Sequence, residues 1–246
     1  MNIYYSYTSD WPKPAVDRAV TQLPPLRREK AERYRRFEGR RESTAAVLLT
    51  LHALEASVTC SDEPMWREEP LSELIGQKDW PRLAAALDWS PAPEGKPFPN
   101  GLVLSRGRET LRRHLSLSHT AGAVAAAVSE GPVGVDIQKE NPLHPGFFEG
   151  ILRRFAPQER DWLSSLPPEK QDPSFYAYWA MKESIMKLCG RGLALSLSAC
   201  ALLPTGSPGQ YRSELEGRPL LAYVRHLPGR ETGPGYVLAA AEYETR

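Results

Sequence analysis

Phe175, Tyr178, Met181, Ile185 and Leu188 recur at three- and four-residue spacings, the period of one helix face. The opposite side of the same helix carries Trp179, Glu183 and Lys187 at i, i+4 and i+8. The pattern stops at Gly190 and Gly192, where glycine ends a helix readily. A chain with such a helix must provide an apolar surface beneath it and leaves a charged face free. Taken alone, Glu183 and Lys187 form an ordinary surface ion pair worth about 0.3 kcal/mol.

A second segment, Gly131 to Gln138, alternates strictly. Val133, Val135 and Ile137 point one way, and Gly134, Asp136 and Gln138 the other, as on a strand. Asp136 and Gln138 thus offer a carboxylate and an amide oxygen from one sheet face, a geometry suited to a hard cation. By itself the segment reads first as an exposed edge strand with its polar side in water.

Composition excludes several classes. Thirty-one Lys and Arg against thirty Asp and Glu give a formal charge of +1, so no global basic field points to nucleic acid and any anion site must be local. Cys60, Cys189 and Cys200 are odd in number and widely spaced, which suits free thiols in a reducing cytosol. No apolar run reaches membrane-spanning length, and the first residues do not read as a signal peptide. A soluble cytoplasmic protein without membrane or nucleic-acid partners is expected.

Residues 2–7 read as a first strand. A helical region over 26–57 is charged first and apolar later, a solvated helix followed by a buried one. Between 61 and 100, helical pieces are interrupted at Pro81, a Pro- and Gly-rich loop follows, and Trp66, Trp80 and Trp89 suit packing of a lid. Strands are expected at 114–119, 121–129 and 133–137. Pro142, Pro145 and Gly146 predict an irregular crossover over 140–150. Helices follow at 155–163 and from Pro173 to Cys189, then strands at 194–203, 218–227 and 235–243. Each half holds helices and about three strands.

The GVDIQ strand and the WAMKESIMKLCGRGL helix together resemble the signature of the 4′-phosphopantetheinyl transferases, a G-x-D-I-E strand followed by a W-x-x-K-E-x-x-x-K helix ending in G-x-G-L. Gly95-Lys96-Pro97, Leu115 to Thr120 and Arg35-Arg36-Phe37 match further family pieces, so the resemblance covers residues 26 to 200. It implies the surfactin-type class: an α/β (α+β) monomeric pseudo-dimer of two similar lobes, residues 1–130 and 131–246, each a small mainly antiparallel sheet packed with helices, with the active site in the cleft between them. The implied reaction moves the 4′-phosphopantetheine arm of coenzyme A to a serine of an apo acyl or peptidyl carrier protein, releasing adenosine 3′,5′-bisphosphate, with Mg²⁺.

Carried over by position, Asp136, Glu183 and Gln138 hold the metal, Glu183 is the base, and Lys187 neutralises phosphate charge, with Lys182 assisting or simply solvated. Ser118, His119 and Lys96 meet the coenzyme phosphates. Lys30 and Arg33 form the basic pair at the 3′-phosphate, with Arg36 able to replace either. Asp136 and Glu183 are expected on polar faces outside the core. Gln138 departs from the family's Glu and brings no charge to a cation. The alternative is a non-catalytic module of the same family that binds coenzyme A or a carrier; the joint presence of Asp136, Glu183 and Lys187 argues against it.

Overall fold

The computed structural model describes residues 1–57, 63–70, 80–87, 89, 102–106, 109–230 and 233–244. The first sheet comprises β1 (Asn2–Tyr7), β2 (Met65–Glu68), β3 (Leu102–Arg106), β4 (Glu109–Thr120) and β5 (Ala123–Ser129), in the order β2-β1-β5-β4-β3. Only β1 and β2 pair in parallel. The second holds β6 (Val133–Lys139), β7 (Leu203–Pro204), β8 (Gln210–Leu215), β9 (Arg218–Leu227) and β10 (Tyr236–Tyr243), in the order β6-β10-β9-β8-β7 and antiparallel throughout. β6 is therefore an edge strand, as its alternation suggested, but Val133 through Asp136 are buried.

Two strands escape the sequence pattern. β2 is four residues long and largely exposed, and β8 is mostly polar, so neither displays an apolar alternation. The strand expected at 194–203 is absent apart from β7: a short 3₁₀ turn at Gly192–Ala194 leads into irregular chain. Leu195 and Leu197 are buried there against the helical core, so their spacing reflects plugging of a gap.

The helices are α1 (Lys13–Gln22), α2 (Pro25–Glu32), α3 (Phe37–Ala56), α4 (Trp80–Ala86), α5 (Pro145–Leu152), α6 (Pro157–Ser165) and α7 (Pro168–Cys189). Prolines explain most differences from the sequence reading. Pro81 sits in the first turn of α4 and Pro145 in the first turn of α5, where a missing N–H breaks no helical bond. Pro145 starts a helix, so 140–150 is not wholly irregular; the residues before Trp80 lie outside the described residues. The 26–57 region breaks between Glu32 and Phe37. α7 begins before Pro173, carries that proline inside, and ends at the left-handed Gly190.

These elements stack in four layers. α3 packs on β4, β5 and β1 over one core, where Tyr4, Val124, Ala126 and Val128 meet Leu48, Leu49 and Leu51. The opposite face of the first sheet, with Ile3, Ala123, Ala125 and Ala127, lies on Val133, Val135, Ile137, Leu238 and Ala240 of the second. The other face of the second sheet carries α7, whose apolar stripe from Phe175 to Leu188 is buried as the helical period requires. Each fully buried side chain of that stripe contributes about 1.5–3 kcal/mol. Among the described residues no helix is long and apolar enough to cross a membrane.

Candidate active site

β6 turns Val133, Val135 and Ile137 into the layer between the sheets and leaves Gly134 and Asp136 facing α7. The helix lies so close that a Cβ at position 134 would stand 1.9 Å from the Ser184 carbonyl oxygen and 2.6 Å from the Leu188 nitrogen. Both obstacles are backbone, so only glycine admits the helix here. Gly134→Ala is expected to force α7 off the strand and destabilise the protein by about 1–3 kcal/mol, read as a lower midpoint of urea unfolding. An unchanged midpoint would show that the layer accommodates the methyl group.

This contact brings Lys187 over Asp136. The Lys187 Nζ donates to Asp136 Oδ1 and to Ser118 Oγ, each at 2.7 Å, and Ser118 Oγ donates to Asp136 Oδ1 at 2.8 Å. Ser118 belongs to β4, which runs beside β6; one turn of the pleat earlier, Ser116 Oγ accepts the Val135 N–H at 3.0 Å. The first sheet thus supplies a serine to a carboxylate and lysine from the second half of the chain. Asp136 is only 3% exposed, contrary to its expected place outside the core: the helix and β4 cover what would be the open face of an edge strand. Gln138 Nε2 donates to Asp136 Oδ2 at 2.7 Å, so its amide turns a donor toward the carboxylate.

Glu183 lies one helical turn before Lys187. Burial, then the negative charge of Asp136, hold its carboxyl above the usual range, and Lys187 opposes them. On the other side, His119 follows Ser118 on β4. Burial pushes its pKa down to about 4, with Lys30, Lys187 and Arg27 acting in the same sense and Asp136 against. The imidazole is accordingly neutral near pH 7.

A pocket of 480 Å³ opens beside this group, lined by Leu26, Arg27, Lys30, Arg33, Tyr34 and Trp89, with Glu29 at its edge. Arg27 is 9% exposed and stacks 4.8 Å from the Trp89 ring centre. Among the described residues its Nε has no hydrogen-bond partner, and burial lowers its pKa to about 10. Lys30 is exposed as a residue, yet burial of its charged end, followed by the charges of Arg27 and Lys187, lowers its pKa. Arg33 is turned to Glu29 in an exposed i, i+4 ion pair. Among the described residues, the cations of this pocket without an ion-pair partner are thus Arg27 and Lys30, and Arg27 is a residue that the sequence pattern did not single out. Its signal is the i, i+3, i+7 spacing of Arg27, Lys30 and Tyr34, hidden among the many charges of α2.

Lys182 is not solvated. It is fully buried, 2.8 Å from Glu159 and bonded to the Cys200 carbonyl at 2.5 Å. Glu159 also accepts from the Leu202 and Ala156 N–H groups at 2.7 and 3.0 Å. One buried ion pair therefore ties α6, α7 and the chain entering the second sheet, and Lys182 points away from the site. Lys96 and the surrounding loop lie outside the described residues.

Residues 132–241, which contain Asp136, Glu183 and Lys187, match the model of the 4′-phosphopantetheinyl transferase superfamily. This segment, a little under half of the chain, is similar to that superfamily. Among similar members of the phosphopantetheinyl transferases are an enzyme of Bacillus subtilis, 37% identical over 35% of this chain and 37% of its own length, and Sfp of Bacillus subtilis strain 168, 32% identical over 51% and 53%. The L-aminoadipate-semialdehyde dehydrogenase-phosphopantetheinyl transferase of Mus musculus is 36% identical over 34% and 29%. The matched stretch spans between about a third and about half the length of the phosphopantetheinyl transferases first compared, 37% and 53% for the two Bacillus proteins. A holo-(acyl-carrier-protein) synthase from Bacillus anthracis, solved with CoA (3′,5′-ADP), superposes with a TM-score of 0.37 at 15% identity, over 47% of this chain and 96% of that one.

Proposed function

We propose that this protein transfers the 4′-phosphopantetheine arm of coenzyme A to a serine hydroxyl of an apo acyl or peptidyl carrier domain. The observation that carries the reading is the meeting of Ser118, Asp136 and Lys187 beside Glu183, next to a pocket lined by Arg27 and Lys30. In the reaction the carrier serine oxygen bonds to the β-phosphorus, the bond from that phosphorus to the bridging oxygen breaks, and adenosine 3′,5′-bisphosphate leaves. Arg27 and Lys30 bind the 3′-phosphate, with Arg33 as a further candidate contact there and Lys96 a candidate at the coenzyme phosphates. His119 donates to the diphosphate, and Ser118 does so by turning its single O–H away from Asp136. Lys187 sits where negative charge grows on the departing phosphate. Glu183 takes the serine proton, a role helped by its raised pKa.

Asp136 and Glu183 would hold a divalent cation, with the Lys187 ammonium and the Gln138 amide displaced from Asp136 to admit it. Two carboxylates, Asp136 and Glu183, oppose each other closely enough for Asp136 to raise Glu183, a repulsion that a hard cation relieves. Among the described residues no third acidic, His or Cys side chain joins them, and Gln138 has its Oε1 left to offer. Mg²⁺ held there would neutralise diphosphate charge. Both walls of the cleft come from one chain, which supports a monomer with lobes at residues 1–130 and 131–246, and free Cys189 and Cys200 suit the cytosol.

Incubation with coenzyme A, Mg²⁺ and a panel of apo carrier domains is expected to add the phosphopantetheine mass to at least one of them by intact-mass spectrometry. Arg27→Ala with Lys30→Ala should raise the KM for coenzyme A by about tenfold or more, from lost charged contacts. The KM for 3′-dephospho-coenzyme A should hardly move. No mass gain on any carrier, with coenzyme A still bound, would leave a binding module; equal losses for both coenzymes would remove the 3′-phosphate assignment.

A further inference from the structure

We propose that Tyr34 is a positioning residue that holds the proton of the His119 ring on Nδ1, so that the imidazole presents a directed N–H to an anion in the cleft. That the anion is a phosphate of the coenzyme rests on the function proposed above. Tyr34 stands in the turn between α2 and α3 and lines the cationic pocket. Its ring occupies the space a side chain at Gly39 would need, since a Cβ there would lie 2.5 Å from Tyr34 Cδ1. The phenol meets the imidazole edge to face, with ring centres 5.9 Å apart at 72°, and its hydroxyl lies 3.3 Å from His119 Nε2.

Among the described residues Nε2 is the one hydrogen-bond partner of the Tyr34 hydroxyl, and Nδ1 has none. A phenol is a good donor, and a neutral imidazole has one accepting nitrogen. With the phenolic O–H donating to Nε2, that nitrogen is unprotonated and the single ring proton resides on Nδ1, the direction that the test below decides. The surroundings keep the ring from taking a second proton: burial and the cations Lys30, Lys187 and Arg27 outweigh Asp136. Charge for an anion comes from those cations, and His119 adds direction. A free imidazole favours the proton on Nε2, so Tyr34 reverses the intrinsic preference.

The test reads ring protonation in the ligand-free protein by ¹⁵N NMR of labelled histidine, near neutral pH, with His119→Gln identifying the signal among the five histidines. Wild type should show a protonated Nδ1 and an unprotonated Nε2, and Tyr34→Phe should move the proton toward Nε2. A wild-type ring protonated on Nε2, or a Tyr34→Phe ring unchanged from wild type, overturns the proposal. Titration with adenosine 3′,5′-bisphosphate should show about three- to tenfold weaker binding for Tyr34→Phe, by the scale of one hydrogen bond, and no such difference in a His119→Gln background. An equal loss in both backgrounds counts against positioning through His119. Failure of the bisphosphate to bind wild type strikes the proposed function instead, because the tautomer is judged without it.

Discussion

Asp136→Asn is expected to lower single-turnover phosphopantetheine transfer by about a thousandfold, the scale of removing a preorganised electrostatic group. Lys187, Ser118 and Gln138 all donate to this carboxylate. Asparagine keeps the shape and one accepting oxygen, so the hydrogen bonds of Lys187 and Ser118 survive while the charge is lost. Asp136→Ala is the poorer probe: at 3% exposure the site would leave those donors without an acceptor, at a cost of about 1–3 kcal/mol in stability. Glu183→Gln should lose as much turnover as Asp136→Asn with an unchanged melting temperature. Transfer within a few fold of wild type in Glu183→Gln would end its role as base and ligand.

Lys182→Met should destabilise the protein by about 3–5 kcal/mol, because it strips the counter-charge from a buried carboxylate. Glu159 is 3% exposed and would keep only the Leu202 and Ala156 N–H groups. For a chain of this size that is a fall in melting temperature of about 6–20 °C. Adding Glu159→Gln removes the stranded charge and retains an accepting oxygen, so the double variant should melt above Lys182→Met alone. The reverse order, or a single-variant loss below about 1 kcal/mol, would mean that Glu159 takes up a proton or reaches water on losing its partner.

The same pair shows where sequence periodicity ceases to inform. Lys182 and Lys187 are both charged residues of one helix, and their spacing places them on different faces without saying what covers either. One face meets Glu159 and the Cys200 carbonyl in the core; the other meets Asp136 across a cleft. Arg27 and Arg33 pose the same ambiguity. Arg27 lies on α2 and Arg33 caps its C-terminus in a run dense in charge, and only packing against Trp89, together with the exposed ion pair to Glu29, separates the two. The sequence could not reveal that Tyr34 touches His119, since those residues are 85 positions apart.

Local regularities account for what was legible. Alternation along 133–137 sets which side chains share a strand face, and the three- and four-residue spacing from Phe175 to Leu188 sets the buried stripe of α7, because both follow from backbone geometry within one element. Proline misled where its two roles compete: Pro145 suggests a break in regular structure but opens α5 at its first turn, and composition does not choose between the two. From the sequence alone come the two motif-bearing elements, the polar faces they present and the order in which they occur. The tertiary structure alone decides that Gly134 admits α7 to backbone contact, that Asp136 is buried, and that Ser118, Gln138 and Lys187 converge on it. The reason is that a period specifies a direction from its own element, whereas a site requires directions from several elements to meet at one point.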